Sequence, residues 1–392
     1  MATVGEGTTF PNLPARCCDV ASINTCLQAA LPQQQAFNQR NLSTMKQAYR
    51  FCILAALAGG VFASTAVAQD NTGLTPAPEF SKIGAGTGVM LTLPVGARAI
   101  GMGGGFTGVS DDPSALYWNP AGITLSQGAS ATYSFGSLFA GTTHNFAGVT
   151  FPLGTNYKGG ISANAYSSGD IEETTLFQQE GTGGRYSATD LALGLSFAGQ
   201  LTDQFSFGVT GKLVNLGIAN VSASGLAMDV GTMYKPGLLG LRLGFSVQNL
   251  SAPFKYTGSQ LTSRGQVDPT TGNQNPDIQL EALEASLPLT FRAGISSDIL
   301  EGDEMNSLLA ALEFNTSSSA SEHVSIGAEY VWNNFLAARI GMLLGSPDVY
   351  NVSGGVGLKY ESGSFLGQID YGVRPHSTLG LINTITASVR FQ

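Results

Sequence analysis

The sequence predicts an all-β fold: a transmembrane antiparallel β-barrel of about fourteen strands, with an N-terminal segment that sits inside or against it. Three observations carry that expectation. Charged residues are only 11% of the chain and 51 residues are glycine, against roughly 25% charged in an average soluble domain. No stretch beyond residue 68 reaches about 18 consecutive apolar residues, so no helix is expected to cross a membrane. From Ala129 to the last residue, apolar and polar side chains alternate with a period of two, the mark of strands with two unlike faces.

The N-terminal part reads as processing signals. Met45 to Ala68 has a basic start (Lys46, Arg50), an apolar run from Phe51 to Phe62 and a small-residue end, Ala66-Val67-Ala68. That is a secretory signal peptide over 45–68, cut between Ala68 and Gln69. Residues 1–44 are then an untranslated or mis-assigned leader. All four cysteines (Cys17, Cys18, Cys26, Cys52) precede the cut, so no disulfide is expected in the exported chain. The formal net charge of −9 speaks against nucleic-acid binding, which needs a basic surface.

Residues 69–128 form a lead-in and plug segment. Asn71 to Phe80 is polar with prolines; Ser81 to Leu93 could be a strand or a packed extended segment. The glycine-dense stretch from Gly96 to Ile123 follows, with an Asp111-Asp112-Pro113 turn. Either aspartate can cap a helix, and Pro113 suits its first position. One or two turns over 114–118 should end at Asn119-Pro120, because the residue before a proline avoids helical geometry.

The barrel is assigned to 129–392. The fourteen expected strands are 129–139, 142–152, 157–167, 187–200, 204–216, 225–235, 239–250, 287–298, 306–315, 322–332, 335–344, 350–360, 365–374 and 381–392. In the fourth, Leu191, Leu193, Leu195 and Phe197 alternate with Ala192, Gly194 and Ser196. Charges such as Lys212, Asp229, Arg292, Glu313, Glu329, Arg339 and Asp370 fall on the polar face. A charge on a lipid face costs roughly 2–4 kcal/mol at the midplane. Alternation alone does not separate a membrane barrel from a soluble sandwich, whose outer face needs charges; the low charge count favours lipid outside. The longest connections, 168–186 and 251–286, both follow odd-numbered strands, and short turns follow even ones, the outer-membrane pattern. As a hypothesis these two loops form an outer surface that meets a partner; the alternative is a lid with no partner.

Three stretches resemble the PorV/PorQ family, a branch of the FadL-like outer-membrane barrels. One runs from Pro94 to Gly104 and on through Asp111-Asp112-Pro113 to Trp118-Asn119-Pro120-Ala121-Gly122. The looser ones are Gly327-Ala328-Glu329-Tyr330 with Ala337-Ala338-Arg339-Ile340-Gly341, and Ile369-Asp370-Tyr371-Gly372 with Leu379-Gly380 and the final strand. Together they span essentially 80–392. The resemblance implies a fourteen-stranded FadL-like barrel in the bacterial outer membrane, with Asn119, Pro120 and Ala121 as part of the plug. It implies a non-catalytic protein. PorV-like members bind the C-terminal domains of exported cargo and shuttle it to other type IX secretion components, which is the primary expectation. FadL-like members take up hydrophobic or small solutes, which is the alternative. Outer-membrane lipid is an expected partner, as is the barrel-assembly machinery through the C-terminal strand, although Phe391 is penultimate to Gln392 rather than last.

Other chemistries find little support. The Gly84-x-Gly86-x-Gly88 and Gly101-x-Gly103-Gly104-Gly105 runs lack the lysine of a phosphate loop. His144, His323 and His376 have no metal-ligand spacing, and nothing marks a nucleophile beside His144. No cofactor or metal is expected. Tyr330, Trp332 and Tyr360 suit an interfacial aromatic girdle.

Overall fold

The structure, a computed structural model, describes residues 87–263, 278–282, 284–301, 303, 305–345, 352–376 and 380–391. The leader, the signal peptide with Ala68 and Gln69, and most of the lead-in lie outside the described residues.

Fourteen strands among the described residues close into one barrel. They are β1 (Ala129–Ser137), β2 (Thr143–Pro152), β3 (Tyr157–Ser167), β4 (Ala188–Gln200), β5 (Phe205–Ile218), β6 (Val221–Tyr234) and β7 (Arg242–Ser251), then β8 (Thr290–Asp298), β9 (Ser307–Ser317), β10 (His323–Trp332), β11 (Leu336–Leu344), β12 (Val352–Ser362), β13 (Phe365–His376) and β14 (Gly380–Phe391). Each pairs antiparallel with the next, and β14 returns to β1 with Phe391 opposite Ala129 and Asn383 opposite Ser137. The sheet has no free edge, which is what a spanning sheet requires where no water can satisfy backbone groups. Nine to fourteen residues per strand match the roughly 9–11 that cross a bilayer at a tilt.

The faces settle what alternation left open. Tyr133, Leu193, Leu195, Leu213, Phe245, Ile295, Leu312, Ile340, Val356 and Ile369 point outward and are exposed, while Ser196, Thr210, Arg292, Glu313, Glu329 and Asp370 are buried inside. None of the fourteen barrel strands carries a charged residue at an outward position. A sandwich would hide that apolar face against a second sheet; here only lipid can cover it. Exposed Trp332, Tyr360 and Phe391, with half-buried Phe365, line one arc of the outer surface at the end where the short turns lie, as in an aromatic belt at a membrane interface.

The strands follow the expected ranges closely. The largest difference is the fifth hairpin. The pattern predicts strands over 204–216 and 225–235, yet β5 and β6 continue to a two-residue turn, Ala219-Asn220. Outward Asn215, Ser222 and Ser224 break the apolar alternation there, and Asn215 Nδ2 donates to Ser224 Oγ at 3.0 Å. That tip stands beyond the apolar belt, so its outward side chains are polar.

Before β1 the chain folds as short turns inside the barrel: a 3-10 turn at Val89–Thr92, helix α1 (Ala97–Gly101), helix α2 (Ala115–Trp118) and a 3-10 stretch at Pro120–Leu125. The end of the 81–93 segment is thus a tight turn rather than a strand. Ser114, not an aspartate, occupies the position before α2; Asp112 Oδ1 instead accepts from Ser114 N and Oγ at 2.9 and 2.5 Å. Asn119 is extended (φ −160°, ψ 105°) and stops α2 ahead of Pro120.

Candidate functional site

The lumen is the candidate site, and the plug fills its waist. Trp118 is 1% exposed and packs on Phe106 and Tyr117 with ring centroids 6.0 and 5.1 Å apart. Val95, Met102, Val109, Leu116 and Ile123 complete an apolar core inside an otherwise polar barrel. Trp118 Nε1 donates to Val95 O at 2.9 Å and Tyr117 OH to Leu91 O at 3.1 Å, which satisfies the polar tips of both rings.

The plug backbone lies directly on wall glycines. Gly208 pairs with Gly231, Gly244 with Gly294, Gly327 with Gly341, and Gly355 with Gly372 across neighbouring strands. A methyl added at Gly372 would stand 2.5 Å from Ala97 O, and one at Gly294 2.6 Å from Gly108 N. At Gly208, Gly231, Gly244, Gly327 and Gly341 the clash with plug atoms is closer still. Cβ atoms do not approach within about 3 Å, so only glycine admits the plug at this depth.

Asn119, Pro120 and Ala121 sit in this seam. Asn119 Oδ1 accepts from Ala121 N at 3.1 Å, starting the next 3-10 stretch. Its Nδ2 donates to Thr107 O in the plug at 3.2 Å and to Thr232 O of β6 at 3.0 Å. The side chain lies against Gly231, and Pro120 with the Ala121 nitrogen against Gly208. One asparagine therefore ties two plug segments to the wall.

The short-turn end of the lumen holds the plug by charge. Arg98 on α1 donates to Glu329 of β10 through Nε and a terminal nitrogen (2.9 and 2.8 Å), to Asp111 at 2.5 Å and to Asp112 at 3.1 Å. Glu329 also receives Arg339 Nε at 2.5 Å, and Arg339 reaches Asp370 at 2.7 Å. Arg242 of β7 holds Asp111 at 3.1 Å. Burial pushes the Asp111 carboxyl up, but Arg98 and Arg242 outweigh it and hold it down at about 2. Deeper in, Glu313 Oε2 accepts from Phe106 N and Thr107 N at 2.8 and 2.7 Å. Arg292 lies over the Trp118 ring, 4.6 Å from its centre, and Gln248 Nε2 donates to Tyr117 O and Trp118 O. Buried charges persist only when paired and hydrogen-bonded, and each of these is.

The long-loop end is different. Met90 and Leu91 pack on the inward faces of Ala192, Val214, Leu216 and Ala227 and on Leu287, with Phe254 and Tyr256 of the 252–289 connection alongside. A small cavity of about 40 Å³ opens beside the lead-in, lined mainly by Leu93, Pro94, Val95, Phe139, Phe146 and Ile382, with His144 and Arg374 at its edge. His144 Nε2 contacts Asn164 Oδ1 at 2.6 Å. Among the described residues no group of three or more His, Cys, Asp or Glu is placed to hold a metal.

The alternation did not reveal the glycine seam or the Arg98 latch. A signal for the seam was present: Gly208, Gly244, Gly327 and Gly372 all fall on the polar parity of their strands.

The lumen and wall define the class: a closed, plugged transmembrane β-barrel with polar buried contacts inside and an apolar belt outside. Among solved structures the chain is similar to the CymD monoaromatic hydrocarbon channel (15% identity, TM-score 0.49, covering 76% of this chain and 98% of that one). It is also similar to a Pseudomonas aeruginosa FadL homologue (13%, 0.49, 76% and 98%) and to the Pseudomonas putida toluene transporter TodX (16%, 0.49, 76% and 97%). No protein-family model and no curated protein matches the sequence. The barrel assignment stands on the strand ladders themselves.

Proposed function

We propose that this protein is a bacterial outer-membrane barrel that admits small hydrophobic solutes past a gated plug. Short turns then face the periplasm and long loops the outside. The observation that carries this reading is the apolar inner lining at the long-loop end, where Val214, Leu216 and Leu287 meet Met90 and Leu91. An apolar solute gains by leaving water for such a surface. The lead-in that covers it has few polar ties: Leu91 O to Tyr117, Val95 O to Trp118, and Thr87 Oγ1 to Tyr256 OH at 2.5 Å. Displacing residues 88–95 exposes the lining without breaking the Arg98 latch. The similar structures named for hydrocarbon and toluene transport suggest that same solute class.

The test is uptake of radiolabelled toluene by cells making the full chain, compared with cells lacking it. Faster uptake, lost in Leu216→Asp with folding checked by heat-modifiable gel mobility, supports the reading. Equal uptake in both cell types overturns it.

A second reading is the binding and shuttling of exported cargo in type IX secretion. It rests on the resemblance of residues 94–122 and on the apolar tip Leu176-Phe177, 82% and 94% exposed in the 168–187 loop. Residues 264–277 and 283 of the other long connection lie outside the described residues. A detergent pull-down from the native membrane separates the two: exported proteins sharing a C-terminal domain favour the shuttle, and the barrel alone with apolar lipid favours uptake. In either reading the signal peptide with its cut after Ala68 delivers the chain, and the assembly machinery engages β14, whose Phe391 packs on Phe365 with centroids 5.6 Å apart.

A further inference from the structure

The short-turn end holds a cavity of about 350 Å³ between plug and wall, within the roughly 300–1,000 Å³ of small-molecule sites. Its lining is electrically unbalanced. Arg98, Lys235, Arg242, Lys359 and Arg390 line it with only two carboxylates, Asp111 and Asp112, and Glu329, which lies outside the lining, is taken by Arg98 and Arg339. Both carboxylates are already engaged by Arg98, and Asp111 by Arg242 as well. Lys235, Lys359 and Arg390 make no ion pair with another described residue. Three positive charges thus converge on one recess in a chain whose formal net charge is −9. Lys359 and Arg390 stand at inward positions of β12 and β14, and Lys235 follows β6 on its turn. Walls of low dielectric focus such a field and raise the local concentration of anions.

We propose that this cavity binds a small free polyanion, a phosphate- or polycarboxylate-bearing solute entering from the short-turn side. Arg390 offers a planar fork and the two lysines offer point charges, a set suited to a di- or trianion. The positions are inward, so a headgroup of the surrounding bilayer does not reach them as readily as a solute does. The bound anion lies beside Asp111 and Asp112 and competes with them for Arg98 and Arg242. Occupancy therefore loosens the charged latch on the plug. This goes beyond the solute-uptake reading and does not depend on it.

The test is isothermal titration of inorganic pyrophosphate into the full chain in phosphatidylcholine nanodiscs. Saturable binding is expected, weakened about tenfold by Lys359→Gln, by Arg390→Gln and by Lys235→Gln, a single charge-assisted contact in each case. Lys255→Gln at the long-loop end should leave the affinity unchanged. Heat-modifiable gel mobility verifies that each variant folds, and Lys235→Gln lies outside the wall strands, so it remains informative if the strand variants fail. Unchanged affinity in nanodiscs containing phosphatidylglycerol supports a free ligand; loss of pyrophosphate binding there means lipid phosphate fills the cavity and overturns the assignment. Absence of saturable binding to the native chain, or equal affinity in Lys235→Gln and the native protein, also overturns it.

Discussion

At the short-turn end, Arg98 meets Asp111, Asp112 and Glu329 at 2.5–3.1 Å. At the long-loop end, Met90 and Leu91 rest on Val214, Leu216 and Leu287 with only a few backbone carbonyls tethered. The two ends of one plug are thus held by different physics. A buried ion network is directional, and losing one member leaves another charge uncompensated. An apolar contact is non-directional and can be exchanged for contact with a solute. The difference teaches which end is the more loosely held: the apolar cover has few polar ties, while the charged latch binds the other end of the plug through three carboxylates.

The largest effect should come from breaking the latch. Glu329→Gln leaves Arg98 and Arg339 short of a charge, and truncating a buried pair costs about 3–5 kcal/mol. Chemical unfolding in detergent should show that loss, and limited proteolysis should show the plug cut faster than the wall. Next is Leu216→Ala, at 1% exposed, expected to cost about 2 kcal/mol because the lead-in can settle into the space. Plug proteolysis should there begin near residues 88–95 rather than near Arg98. If both variants open the plug at the same site, the contrast between the ends fails. Asn119→Ala removes bonds to Thr107 O and Thr232 O and should cost about 1–3 kcal/mol, since two carbonyls lose their donor; hydrogen exchange at Ala121 should rise.

The smallest effect is acid loosening. The folded Asp111 carboxyl sits at about 2, below its ordinary 3.8. A depressed carboxyl contributes its stability in full above the unfolded value and loses it as pH falls through the folded one. Plug protection at the short-turn end should therefore be intact above about pH 4 and fall towards pH 2, with the long-loop end lagging. Asp111→Asn should flatten that part of the profile.

Much of the wall was legible because a strand crossing lipid writes its two faces directly into a period of two, as Leu191 to Phe197 shows. Loop lengths after the third and seventh strands likewise told a long-loop end from a short-turn end. The plug was legible only as a composition, since its short turns carry no sustained period. The latch joins Arg98 to Glu329 across 231 positions, and nothing local to either residue announces such a partner. The fifth hairpin was misjudged in length because β-pairing continues where the lipid stops, while hydrophobicity does not.

The cross-strand glycine pairs bear on how the molecule can be assembled. With β14 zipped to β1 along nine residues and the waist moulded to the backbone of residues 97–121, plug and wall fit each other without slack. The N-terminal segment is therefore expected to be in place when the last seam closes. It acts as a mandrel on which the hoop is wound, and a chain deprived of it should stall with that seam ajar.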